Sequence, residues 1–131
     1  MKKIIALSLA LITSILLLVS CSPAFSDDYY NEISSYVKLN ADYLETSEDL
    51  EYFFYDEVNE SATKSYYGYY YAKDGGRHPY ISSGMTVDKT AVSSEDGGFY
   101  FGEASDENDW CFIKAINKNW FYFESHDYIY N

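Results

Sequence analysis

Hydrophobic patterning divides this chain of 131 residues into three regimes. Residues 4–19 form an uncharged apolar run broken only by Ser8, Thr13 and Ser14. Farther on, Tyr29, Ile33, Tyr36, Val37, Asn40 and Leu44 recur near helical spacing, while Asp28, Glu32 and Lys38 fall outside that stripe. Such a stripe is what a helix needs to bury one face. Ser26 supplies a capping hydroxyl, and Asp27 and Asp28 place negative charge where the helix dipole favours it. The spacing predicts a helix over 27–44.

Residues 47–58 satisfy two periods at once. Leu50, Phe53, Phe54 and Val58 suit a helix, whereas Leu50, Tyr52 and Phe54 suit strand alternation. Thr46, Ser47, Glu48 and Asp49 read as a cap followed by first-turn acids, which tips the expectation towards a helix. The aromatic content of the segment keeps the strand open.

From residue 65 the chain changes to short strands separated by turn residues. Strands are expected over 65–73, 79–82, 85–87, 90–93, 99–104, 110–116 and 120–124, with a further edge at 128–130. Glu95-Asp96-Gly97-Gly98 and Asn117-Lys118-Asn119 mark two hairpins. Successive short strands usually pair with their neighbours. The fold expected is therefore α+β, with one or two N-terminal helices on a twisted antiparallel meander of about five strands. A small lipocalin-like β-barrel is the alternative.

The start of the chain carries an address. Lys2 and Lys3 precede the apolar run, which closes on Leu18-Val19-Ser20-Cys21. A positive start, an apolar stretch and a small-residue cut site define a secretory signal, and these last four residues resemble the lipobox of bacterial lipoproteins. The resemblance covers residues 1–21 alone. It implies that Leu18, Val19 and Ser20 are read by the signal peptidase and that the Cys21 thiol receives a diacylglycerol. Two or three acyl chains anchor stably where one binds reversibly. Ser22 follows, where an aspartate would resemble an inner-membrane retention signal. The expected organisation is a signal peptide over 1–20, a lipidated tether over 21–26 and one domain over 27–131. Its place is the cell envelope, on the outer membrane or the outer face of the plasma membrane.

Composition narrows the partners. All 21 acids but only seven of the nine bases lie beyond residue 20, so that part carries a net −14. Residues 27–60 alone hold eleven acids against Lys38. Such a polyanion is repelled by nucleic acid and by anionic headgroups. The acidic half is either a solvated face or a docking surface for a basic partner. Sixteen tyrosines, eight phenylalanines and two tryptophans, all beyond residue 20, exclude disorder. With Cys21 lipidated, Cys111 has no disulfide partner and, within Trp110-Cys111-Phe112-Ile113, reads as a small buried hydrophobe.

Catalytic signatures are lacking. His78 and His126 show no ligand spacing and read as surface rings, so neither metal nor cofactor is expected. No Gly-x-Ser-x-Gly turn exists, and Ser125-His126-Asp127, adjacent in sequence, is no evidence of a relay. Asp106-Glu107-Asn108-Asp109 clusters oxygens as calcium prefers, yet reads first as a solvated turn. The densest candidate is Tyr66, Tyr67, Tyr69, Tyr70 and Tyr71, joined from other strands by Tyr100 and Tyr122. In a strand, Tyr67, Tyr69 and Tyr71 share one face, and Tyr66 and Tyr70 the other. If one face serves the core, the other presents rings, beside Tyr80 among others, to a protein or glycan. The expected function is thus a non-enzymatic, lipid-anchored binding domain. The alternative is a structural or inhibitory lipoprotein that docks a basic partner through its acidic N-terminal half.

Overall fold

The computed structural model describes residues 25–44, 49–82, 91–102 and 109–129. The apolar leader, the lipobox, the cap at 46–48, the strand expected at 85–87 and most of the acidic turn at 105–109 lie outside those residues. One helix, α1 (Asp27–Asn40), precedes six strands: β1 (Leu50–Glu60), β2 (Thr63–Ala72), β3 (Val92–Ser93), β4 (Phe99–Phe101), β5 (Trp110–Ala115) and β6 (Trp120–Tyr128). Among the described residues they form one open antiparallel sheet in the order β1-β2-β6-β5-β4-β3, with no barrel closure.

The helix begins as its residues dictate. Ser26 is extended, and its Oγ accepts from the Tyr29 N–H at 3.3 Å, with Asp27 and Asp28 in the first turn. It stops four residues before the stripe does. The Asn40 side chain turns back to the Tyr36 carbonyl, and the Asn40 carbonyl accepts from Tyr43 and Leu44. Ile33, Ser34 and Val37 form the buried face.

Residues 50–60 are a strand, which corrects the helix expected over 47–58. Leu50 through Phe54 pair with Ala72 through Gly68, so the aromatic alternation is satisfied by an eleven-residue ladder. At Phe54/Asp56 the register slips, leaving Tyr55 as a bulge residue. Paired residues share a face, so Asp56, opposite Tyr67, points towards the helix. There Asp56 accepts from the Tyr29 hydroxyl, and Glu32 accepts from Tyr55.

The strands follow a meander from β3 to β6, and both expected hairpins form. Ser94 N–H donates to the Gly98 carbonyl across the first, where Gly97 takes φ +80°. The meander then closes on β2 through β6, a pairing of residues about sixty apart that neighbour rules do not anticipate. β6 continues through Tyr128 between β2 and β5, which corrects the separate edge expected at 128–130. Residues 79–82 are not a strand. They run irregularly across the sheet, with Tyr80 packed on Phe123 at 5.2 Å and the Tyr52 hydroxyl donating to the His78 carbonyl at 2.7 Å.

Two cores result, one on each face. Ile33 and Val37 of α1 pack with Phe25, Tyr69, Trp110, Phe112, Trp120 and Tyr122. On the second face Tyr70, Ala72, Phe101, Cys111, Ile113, Phe121 and Phe123 pack together under residues that include Tyr80 and Ala91. Gly68 holds the second core tight. A Cβ there would stand 2.2 Å from the Phe53 carbonyl oxygen and 2.7 Å from the Phe123 ring, which lies over the glycine.

Candidate functional site

The tyrosines alternate across β2 as expected, yet neither face is left bare. Tyr69, Tyr70 and Tyr122 are buried, and burial raises all three phenols, Tyr69 to about 12. Tyr67 is covered by Tyr29, stacked with centroids 3.9 Å apart. Tyr71 lies edge-on to Trp120, and Tyr100 is half-buried against Phe112 at 4.9 Å. Tyr69, Tyr70 and Tyr122 are thus taken up by the two cores, while Tyr66, Tyr67, Tyr71 and Tyr100 stay half-buried. The cause is coverage: α1 lies over β2 and β6, while the irregular segment carrying Tyr80 covers the second face.

Tyr66 belongs to an aromatic group at the β1 end of the second face. Tyr80 lies 6.1 Å away at 66°, Phe54 lies 5.8 Å from Tyr66 at 63°, and Phe54 meets Tyr80 at 5.2 Å and 80°. The Lys64 ammonium sits 5.2 Å above the Tyr66 ring. Phe54 is 54% exposed, and Ile81 beside Tyr80 in sequence is 47% exposed. The rings meet edge to face and leave part of Phe54 at the surface, with no flat platform for a sugar ring. Strand alternation in residues 50–54 was the available signal for Phe54, and the competing helical period obscured it.

A polar chain under α1 escaped the sequence reading altogether. Tyr122, Glu124 and His126 alternate along β6 on the helix face, and Ser65 stands opposite His126 on β2. Ser65 Oγ lies 2.7 Å from His126 Nδ1, and His126 Nε2 lies 3.1 Å from Glu124 Oε1. Glu124 Oε2 accepts from the Tyr122 hydroxyl and, at 3.0 Å, from the Ser26 N–H. Trp110 stacks on the imidazole at 4.1 Å and 22°. Glu124 is buried and the His126 side chain only 17% exposed, which corrects its reading as a surface ring. An acceptor-only carboxylate at Nε2 makes Nδ1 the acceptor in the neutral ring, so Ser65 donates. That is the order of a nucleophile, base and orienting acid. An acyl-transfer site also needs donors aimed at the developing oxyanion. β2 is paired on both sides, so its N–H groups are spent in the ladders. The chain links Ser26 at the start of α1 to β6 and β2 through side-chain hydrogen bonds.

The other candidate groups lie in ordinary packing or hydrogen-bond contacts. Cys111 is buried, and desolvation raises its thiol to about 12, far from the reactive thiolate range. His78 contacts Asp74 at 3.2 Å. Asp109 Oδ1 accepts from the Tyr128 N–H at 2.7 Å. No metal-ligand cluster and no helix long and apolar enough to cross a membrane occur among the described residues. Comparison with known protein families, with curated proteins and with solved structures found no match.

Proposed function

We propose that the chain is a non-enzymatic binding domain, lipid-anchored through Cys21 outside the cytoplasm, that recognises a protein through the open end of its second sheet face. The observation that carries this reading is the group of Phe54, Tyr66 and Tyr80, edge to face and open at Phe54. Exposed aromatic groups of this kind mark binding patches, and aromatic side chains dominate protein–protein anchors. The steep ring angles favour a protein over a glycan. The anchor rests on Leu18-Val19-Ser20-Cys21 and the apolar run before it.

The test is a pull-down from the native envelope with the full chain, comparing wild type with Phe54→Ser/Tyr66→Ser. A partner retained by wild type and lost by the variant, at an unchanged circular dichroism spectrum, supports the reading. Equal retention refutes it. Mass spectrometry of the native protein checks the anchor: Cys21 unmodified with residues 1–20 still attached refutes lipidation.

A second reading is favoured by the charge of β1. Glu51, Asp56, Glu57 and Glu60 lie along this edge strand, and Lys64, bound to Glu57 at 2.9 Å, is the basic group paired with it there. An acidic edge suits a basic partner. Binding that collapses with salt and with neutralisation of Asp56 and Glu57, yet survives Phe54→Ser, distinguishes this docking mode.

A further inference from the structure

The fate of the basic side chains points to a second site. Among the described residues, Lys64 and Lys73 are ion-paired with Glu57 and Asp49. Lys38 lies in the last turn of α1, where the helix dipole accommodates it. Lys114 spreads over the rings of Phe25 and Tyr30. Arg77 and Lys118 remain, and neither has an acidic partner among the described residues. Both line the same cavity.

That cavity, about 260 Å³, opens where the loop after β2 approaches the two hairpin turns. Its floor is apolar: Phe99, Ile113 and Phe121. Its rim carries Arg77, Lys118 and the amide of Asn117, and no acid among the described residues lines it, in a chain where acids outnumber bases 21 to nine. The Arg77 guanidinium lies 3.5 Å from the Phe99 ring centroid, which fixes the cation at the mouth. The loop below is held by Asn119 Nδ2, which donates to the Ala72 and Lys73 carbonyls at 2.9 and 3.1 Å. The space equals roughly eight or nine water molecules at about 30 Å³ each.

We propose that this cavity binds a small organic carboxylate carrying a compact apolar group. The carboxylate lies at the rim against the Arg77 fork and the Lys118 ammonium, because a planar guanidinium matches a carboxylate in two parallel hydrogen bonds. The apolar group displaces water from Phe99, Ile113 and Phe121. The cavity is lined by residues that take no part in the Phe54, Tyr66 and Tyr80 group, so the two sites stand or fall separately.

The experiment is a two-dimensional amide NMR titration of the full chain, held in a neutral detergent, with three probes of one shape: benzoate, benzyl alcohol and benzylammonium. Benzoate is expected to shift the amides of Gly75, Arg77, Gly97 and Lys118, with benzyl alcohol weaker and benzylammonium silent. Arg77→Gln/Lys118→Gln should weaken benzoate at least tenfold, while the dispersed spectrum shows the fold intact. Lys118→Gln alone, at an exposed turn, gives an intermediate loss that does not depend on the double variant folding. No shift at these amides up to about 20 mM benzoate, a concentration ample for a ligand of this size, overturns the proposal. So does an equal response to benzylammonium, or unchanged benzoate binding in the double variant.

Discussion

Glu124→Gln puts the polar chain under α1 to its sharpest test. The side chain keeps its shape but exchanges one acceptor oxygen for an amide donor. In the native chain the carboxylate accepts from Tyr122, from Ser26 N–H and from His126 Nε2, and His126 Nδ1 accepts from Ser65. With glutamine, the remaining oxygen is best kept on Tyr122 and Ser26, which leaves the amide NH₂ facing His126. The ring answers by moving its proton to Nδ1, and Ser65 turns from donor to acceptor. Every group of the native chain keeps a partner, so the cost is chiefly the difference between charge-assisted and neutral bonds. That is about 1 kcal/mol per bond, offset in part by no longer burying a charge. The net expectation is about 1–2 kcal/mol, a fall in Tm of roughly 5–15 °C for a domain of this size. Glu124→Leu has no such escape: three donors lose their acceptor, at about 1–3 kcal/mol each. Against a total stability of about 5–15 kcal/mol, that variant should be close to unfolding. The assay pairs thermal melting with long-range nitrogen NMR of the imidazole at alkaline pH. Native His126 should show its proton on Nε2, and Glu124→Gln on Nδ1. The same tautomer in both proteins, or equal losses of stability for Gln and Leu, would refute the hydrogen-bond assignment.

Three further outcomes follow from the packing. Gly68→Ala forces a methyl against the Phe53 carbonyl and the Phe123 ring; overpacking of this kind costs about 1–3 kcal/mol or more, read as a lowered urea midpoint, and an unchanged midpoint contradicts the close approach. Burial raises Tyr52, Tyr70 and Tyr122 above the ordinary phenol value, so the native state holds protons that the unfolded chain releases; stability present below pH about 10 should fall as pH rises beyond it. Tyrosinate absorbance should then appear together with loss of circular dichroism, and a gradual titration with the fold intact contradicts the burial. Desolvation likewise raises Asp127, whose Oδ2 accepts from Ser82 while Oδ1 has no hydrogen-bond partner among the described residues. A raised carboxylate favours the native state at low pH and loses that contribution as pH climbs from about 4. Asp127→Asn should therefore be neutral or stabilising at pH 7 and should flatten the fall in stability as pH climbs from about 4; a clear loss of Tm at pH 7 contradicts it.

Local chemistry was legible where it concerned a residue and its near neighbours. Ser26 followed by two aspartates starts α1, the turns at 95–98 and 117–119 are hairpins, and Cys111 is a buried hydrophobe, because each depends on backbone and side-chain groups a few positions apart. The α+β arrangement was also readable, as one helical period followed by strand periods. What the linear order could not decide was which long-range partner each face would meet. Leu50 through Phe54 fit two periods equally, and only the β2 ladder made them a strand. The bulge at Tyr55 turns Asp56 towards Tyr29, and no local residue announces it. Pairing of β6 with β2 brings Ser65 to His126 across sixty-one positions, while α1 and the segment around Tyr80 bury tyrosines that alternation alone would leave in water. Period fixes which side chains share a face; coverage of that face comes from contacts whose energy exists only after the chain has folded.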